Sequence, residues 1–156
     1  MATVCKGPWS PGQIEAFLQR AVYPMRLACV GADGYPRVVS VWFRYEHETL
    51  YCVSHRESSL IALLRRNDRV GFEIAPNEPP YHGVRGQGRA TLQALEDDET
   101  LKFLLQRFLG GTDSNLARWL LSRSDEEVLV SVRPMRWFSW DYRERMEGAG
   151  SQESTG

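Results

Sequence analysis

Apolar residues recur at two periods along this chain, and the period changes where turn residues stand. Ile14, Phe17, Leu18 and Ala21 follow at helical spacing behind Ser10-Pro11-Gly12-Gln13. Ser10 suits an N-cap, Pro11 the first helical position, and Gln13 the return half of a capping box. Pro24 ends that helix. Residues 25–30 alternate, with Met25, Leu27 and Cys29 on one face, and read as a strand. An Asp33-Gly34 pair turns the chain, and residues 37–45 return it. That strand is β-branched and aromatic. Val39, Val41, Phe43 and Tyr45 share one face; Val38, Ser40, Trp42 and Arg44 share the other. Both faces are apolar near the middle. One is expected to meet a core and the other a ligand or a partner subunit.

Glu46-His47-Glu48 turns the chain again into a strand at 50–53. A polar loop, 54–59, opens onto a helix at 60–66. Residues 69–74 alternate as a strand, and the proline-rich stretch 76–80 is a loop. Extended structure resumes over 81–95. Gly83, Gly86 and Gly88 mark it as a bulged, bent barrel strand, because no helix follows to complete a dinucleotide fingerprint. Asp97 or Asp98 can start a helix with Leu101, Leu104, Leu105 and Phe108 as its apolar stripe, stopped by Gly110-Gly111. A short helix over 114–122 is expected to bury Leu116, Trp119 and Leu120. A last strand, 127–133, continues through 134–142 with four aromatics. Short turns join most strands, so the sheet should be mainly antiparallel. The expected fold is α+β: a small six-stranded split β-barrel, closed or half closed. It occupies residues 10–146, after a lead-in at 1–9 and before a small, polar tail at 147–156 that is expected to be disordered.

Composition narrows the classes. A chain of 156 residues, 42% hydrophobic and 25% charged, suits one soluble core. The net charge of -1 lacks the basic excess of a general nucleic-acid binder. No apolar run is long enough to span a bilayer, and the start lacks the order of a signal peptide. Three cysteines with no paired spacing do not form a disulfide framework. No Cys/His cluster has metal-ligand spacing. The expectation is a cytoplasmic protein with no metal, no nucleic acid and no membrane partner.

The chemistry is expected at the start of the helix at 60–66. A helix N-terminus offers free N–H groups and the positive end of a dipole. The hydroxyls of Ser54, Ser58 and Ser59 and the guanidinium of Arg56 stand within a few residues of it. That set can hold a phosphate. It can equally be a solvated loop in which Ser58 or Ser59 simply caps the helix. His55 and His82 are candidate acid–base groups or haem ligands, although a loop histidine is more often a surface residue. Trp137 and Trp140 can wall a cofactor or belong to the core.

The hairpin running from Leu27 through Gly31-Ala32-Asp33-Gly34-Tyr35-Pro36-Arg37 to Phe43 resembles the opening of the flavin-binding split-barrel family, the pyridoxamine phosphate oxidase-like proteins. The likeness continues at Leu50-Tyr51-Cys52-Val53-Ser54, at 63–70, at Val84-Arg85-Gly86-Gln87-Gly88-Arg89-Ala90 and at 134–142. The resemblance implies a homodimer with FMN in clefts at the subunit interface. The ring would lie along Val39, Ser40, Val41 and Trp42. The phosphate would sit on Ser54, Arg56, Ser58 and Ser59, and Trp140 would line the cleft. The chemistry implied is hydride transfer between flavin N5 and a small substrate. Leu60 stands where tight FMN binders carry a Lys, and Arg56 can substitute because guanidinium grips phosphate bidentately. Asp141-Tyr142-Arg143-Glu144-Arg145 replaces the substrate signature of the vitamin B6 oxidase, so pyridoxamine phosphate is not assigned as substrate. Alternatives on the same fold are a deazaflavin-dependent reductase and a non-catalytic flavin- or haem-binding protein.

Overall fold

The computed structural model describes residues 3–147. The expected tail at 147–156 therefore lies, beyond its first residue, outside the described residues. In chain order the elements are β1 (Val4–Lys6), α1 (Pro11–Arg20), β2 (Met25–Val30), β3 (Pro36–Val41), β4 (Arg44–Glu46), β5 (Thr49–His55) and α2 (Ser59–Arg66). Then come β6 (Arg69–Ile74), β7 (His82–Ala94), α3 (Glu99–Leu109), α4 (Asn115–Ser122), a 3-10 turn (Ser124–Glu126) and β8 (Glu127–Asp141). One sheet runs β3-β2-β6-β7-β8-β5-β4, with β1 added on β8. Every pair is antiparallel except β1 with β8.

That strand order makes the sheet a split barrel. β3 and β4 lie at its two ends, yet only Trp42 and Phe43 separate them in the chain. Three Cα–Cα steps of about 3.8 Å bring the two edges within about 11 Å. The sheet has to curl until its edges meet, although they do not pair. The single strand expected over 37–45 is broken at this crossing. Phe43 turns inward and is fully buried, while Trp42 stacks on Phe108 with ring centroids 5.7 Å apart. The expected strands are all present, with the three-residue β1 and β4 beside them.

Local sequence explains most of the elements. Ser10 and Gln13 complete the capping box on α1, with bonds of 3.2 and 2.8 Å. Gly34 adopts φ 83° in the β2–β3 turn, and Asp33 Oδ1 accepts from Tyr35 N–H. His47 and Glu48 both take left-handed φ (50° and 55°), which the two-residue β4–β5 hairpin requires. The β7–β8 ladder slips at Gln87/Gly88, the bulge foreshadowed by the glycines.

The barrel interior takes alternate residues of each strand: Leu27 and Cys29, Leu50 and Cys52, Phe72 and Ile74, Val128, Val130 and Val132. α1 and α2 add Phe17, Leu18, Leu60, Ile61 and Leu64 to that core. Burial pushes the Cys52 thiol up to about 12, so it stays protonated and inert. α3 and α4 build a second, smaller cluster from Leu101, Leu105 and Ala117, with Trp42, Leu95, Leu120 and Leu121 against it. The expected face of α4 needs correction. Leu116 and Trp119 are 49% and 54% exposed; Ala117 is the residue α4 buries. A one-residue rotation of a helix this short is enough to swap them. Arg107 of α3 caps α1 from a distance, donating to Leu18 O at 2.5 Å and, through Nε, to Ala21 O at 2.9 Å.

Candidate functional site

The end of β3 and the end of β5 face each other across the split. Between them and the α3–α4 layer lies a cavity of about 400 Å³ lined by Pro24, Ser40, Val41, Trp42, Val53, Leu101, Leu104, Leu120 and Glu127. Three of the expected ring-contacting residues, Ser40, Val41 and Trp42, therefore share one space. Val39, half-buried, packs instead against the barrel core. Ser40 Oγ accepts from Arg26 Nη1 at 2.8 Å, which fixes its hydroxyl.

The corner at α2 is more self-contained than the sequence suggested. Ser58 is the N-cap, and its Oγ accepts from Ile61 N–H at 3.2 Å. The same oxygen lies 2.8 Å from Ser54 Oγ. Both hydroxyls thus already have protein partners. The N–H groups of Ser59 and Leu60 have no hydrogen-bond acceptor among the described residues. Leu60 itself points into the core at 4% exposure. The corner can offer an anion two free amides and the exposed guanidinium of Arg56.

Arg56 is already near a carboxylate. Its Nη2 lies 3.8 Å from Glu126 Oε1, with both side chains substantially exposed. His55 Nδ1 accepts from Glu57 N–H, so the ring proton sits on Nε2 and donates to Glu126 Oε2 at 3.0 Å. That bond, ahead of the charges of Arg56 and Arg123, holds the Glu126 carboxyl below its ordinary range. An anion arriving at Arg56 competes with Glu126. The Arg56–Glu126 separation is long and exposed, so it is a weak pair and the guanidinium can turn away from it. His82, the other candidate histidine, uses Nδ1 on Pro80 O and packs on Trp9 and Phe17.

Trp140 does not join these residues within one chain. Ser54 pairs with Val128 near the start of β8, whereas Trp140 pairs with Gly83 next to its end. Trp140 is half-buried, with Arg85 Cζ 5.8 Å from its ring. Trp137 is core at 3% exposure, between Phe72 and Tyr45.

Sequence reading missed Glu127 and Arg123. In the barrel, Val128, Val130 and Val132 point inward, so Glu127 and Leu129 face the helical layer, on the side of Val53. The Glu127 carboxylate is 6% exposed, and its Oε1 accepts from Arg123 Nε at 3.2 Å. Arg123 also lies 4.4 Å over the Trp119 ring. The acidic run 125–127 disguised a buried carboxylate as a solvated one. Arg123 and Glu127 meet across a 3-10 turn at the start of β8, so no helical spacing in the sequence marked the pair.

The curled antiparallel sheet with its side cavity is a split barrel. A family model described as pyridoxamine 5'-phosphate oxidase matches residues 10–141, and the chain belongs to that family. Solved structures agree on the fold. A conserved hypothetical protein of Mycobacterium tuberculosis is 21% identical, with 92% of this chain and 91% of that one covered and a TM-score of 0.73. An F420 reductase is 20% identical, with 82% and 98% covered and a TM-score of 0.69. A FAD-binding protein of Mesorhizobium loti is 24% identical, with 84% and 93% covered and a TM-score of 0.58. No curated protein matches the sequence. Among the described residues no helix is long and apolar enough to cross a membrane.

Proposed function

We propose that the protein is an FMN-binding oxidoreductase that works as a homodimer on a small substrate. The observation that carries this reading is the shared cavity. The strand expected to run beside the flavin ring, at Ser40, Val41 and Trp42, opens onto about 400 Å³ of space beside the end of β5. Bound FMN supplies hydride transfer; the protein supplies position and electrostatics. Ser59 N–H, Leu60 N–H and Arg56 hold the phosphate, with Ser54 and Ser58 fixing the helix start that aims those amides. Trp140 closes the cleft from the second subunit, since its own chain keeps it at the far end of β8. The three free cysteines suit a reducing cytoplasm.

The deazaflavin reading has its own support. The chain superposes on an F420 reductase over 98% of that structure, and the hydroxyls of the α2 corner are engaged before any phosphate arrives. A deazaflavin with its phosphodiester placed elsewhere would not need that corner. An absorbance spectrum of the isolated protein, then titration with FMN and with F420, separates the two. Flavin absorption, with FMN affinity reduced at least tenfold in Arg56→Ala, supports the first. F420 binding that is indifferent to Arg56→Ala supports the second. A protein that binds neither ends both.

A further inference from the structure

Three arginines stand abreast on the outer face of the sheet. Arg69 of β6 pairs with Arg89 of β7, and Arg89 pairs with Arg133 of β8. Residues in register on neighbouring strands share a face, and like charges placed so are destabilising. All three are exposed, and Arg136, also exposed, joins them in the next row, opposite Gln87. The protein itself gives little relief. Arg89 Nη1 meets Asp68 Oδ1 at 3.2 Å. Arg133 reaches Glu48 only at 3.8 Å, between side chains 77% and 79% exposed. The guanidinium groups of Arg69 and Arg136 have no partner among the described residues. Glu73, a further acid on this face, stands in register between Arg26 and Arg85, which offset it.

Two adjoining hollows follow the arginines. One, of about 330 Å³, is lined by Arg69 and Arg89 together with Ala28, Val30, Pro36 and Gly71. Its floor is low because Ala28 and Gly71, in register with each other, carry almost no side chain. The other, of about 570 Å³, is lined by Arg89, Arg133 and Arg136 together with Val4, Pro134 and Met135. The two share Gln87, Arg89 and Met135, and neither is lined by a carboxylate. Neither shares a residue with the cavity at Ser40, Val41 and Trp42. Trp140 lies apart as well. It pairs with Gly83, six residues before Arg89 on β7, which is about 20 Å of strand. Two strand spacings put Arg69, Arg89 and Arg133 within about 10 Å of one another. Beyond them the lining turns apolar, at Val30 and Pro36 on one side and Val4 on the other. A nucleic-acid strand would need the positive charge to continue. A short run of linked phosphates does not, and guanidinium grips phosphate bidentately.

We propose that this groove binds an organic polyphosphate of the nucleoside triphosphate class. Its phosphates lie across Arg69, Arg89 and Arg133, with Arg136 beside them. Its organic part rests on the exposed side chains of Val4 and Met135. The bound anion relieves the repulsion that the row of arginines otherwise carries. The site is separate from the flavin cleft, and its binding does not depend on the redox reading.

Calorimetry on the full chain, without added metal, tests this with ATP, tripolyphosphate and AMP. ATP should bind tightest, tripolyphosphate more weakly, and AMP at least tenfold more weakly than ATP. Arg69→Ala and Arg136→Ala break no contact within the protein, and each should weaken ATP at least tenfold. Arg118→Ala removes the same charge from the exposed side of α4 and should leave ATP within twofold. Met135→Ala should weaken ATP and leave tripolyphosphate within twofold. AMP binding as tightly as ATP overturns the proposal. So does an Arg118→Ala variant as impaired as Arg69→Ala, which would reduce the effect to net charge. Tripolyphosphate binding as tightly as ATP overturns the assignment of an organic ligand. A short single-stranded oligonucleotide that binds more tightly than ATP, and loses as much in Arg69→Ala, would make the groove a nucleic-acid surface and overturn it too. Saturating FMN should leave ATP affinity unchanged; displacement of ATP by FMN would make this the cofactor's seat. If the protein takes up no flavin, the cofactor reading fails, and the order of the phosphate probes still decides this one.

Discussion

The two halves of β8 hold their neighbours in opposite ways. From Pro134 onward the inner side of the strand is packed and bonded, while Met135, Arg136 and Phe138 face outward and are exposed. Trp137 sits between Phe72 and Tyr45, with centroids 5.1 and 6.1 Å away. Ser139 is fully buried, and its Oγ accepts from Trp9 N–H at 3.0 Å. Asp141 accepts from the Trp9 indole at 3.1 Å and from Arg143 at 2.6 Å. β1 supplies the neighbouring strand there. The first half, up to Val132, packs just as tightly inward but not outward. Its outer face carries Glu127 at the edge of the 400 Å³ cavity, with one carboxylate oxygen on Arg123. Trp137, Ser139 and Asp141 of the second half each have dedicated partners, so its inner side resists change. The open half is held by two short helices with a small core of their own, and such regions are where binding and local opening concentrate.

The comparison breaks first at Trp137. Trp137→Ala removes the largest buried side chain of the second half, and the cavity left behind should cost about 3–5 kcal/mol in urea unfolding. A loss below 1 kcal/mol would mean that the second half of β8 is not the rigid seam of the barrel.

Asp141→Asn sharpens the same contrast with a smaller effect. It weakens the bonds that the carboxylate accepts from Arg143 and Trp9 and should cost about 1–3 kcal/mol at neutral pH. Arg143 beside it, more than the Trp9 N–H, holds the Asp141 carboxyl well below the usual carboxylate range. A depressed carboxyl adds stability that is full above its unfolded value, near pH 4, and is lost as pH falls through the folded value. The gap between wild type and Asp141→Asn should therefore be flat from about pH 5 to 7 and narrow below about pH 4. A gap that widens on acidification contradicts the clamp.

Ser58→Ala acts in the other region. It removes the α2 cap and the partner of Ser54, and should cost about 0.5–2 kcal/mol. Its effect on FMN titration is the sharper reading. If Ser58 only fixes the helix start, FMN affinity falls no more than about tenfold, the equivalent of about 1.4 kcal/mol. A complete loss of FMN binding in a folded variant would instead place the hydroxyl on the phosphate.

How far this was legible in the sequence follows the same divide. The closed half of the fold is written in local rules. Asp33-Gly34 fixes one hairpin, Ser10 and Gln13 start α1, and alternation along β2, β6 and β8 picks out the inward residues. The open half depends on how distant elements meet. Nothing local to Val41 says that the strand must break at Trp42 to carry the chain from one sheet edge to the other. Nothing local to Leu116 says that Ala117 is the residue of α4 that packs, because a helix of eight residues has no long stripe to read. Ser58 was legible as both cap and phosphate ligand, and the capping bond is the one the structure contains. Glu127 was hidden among Asp125 and Glu126, since only the strand pairing decides which acid turns toward the helices.

The smallest expected effect tests the open half most directly. One methylene added where packing is complete forces neighbours off their rotamers. Val130→Leu, at a fully buried inward position, should therefore cost about 1–3 kcal/mol. The same atom added at Val53 enters the cavity instead. Val53→Leu should change stability by no more than about 0.5 kcal/mol, because the new contacts with Leu101 or Leu104 replace open space rather than crowd a core. It should nevertheless weaken FMN in titration, since it takes volume from the cavity beside Ser40, Val41 and Trp42. Unfolding curves for the two variants, measured side by side, give the contrast. If Val53→Leu proves as costly as Val130→Leu, the outer face of β8 and β5 is as closed as the inner one, and there is no space there for the flavin ring.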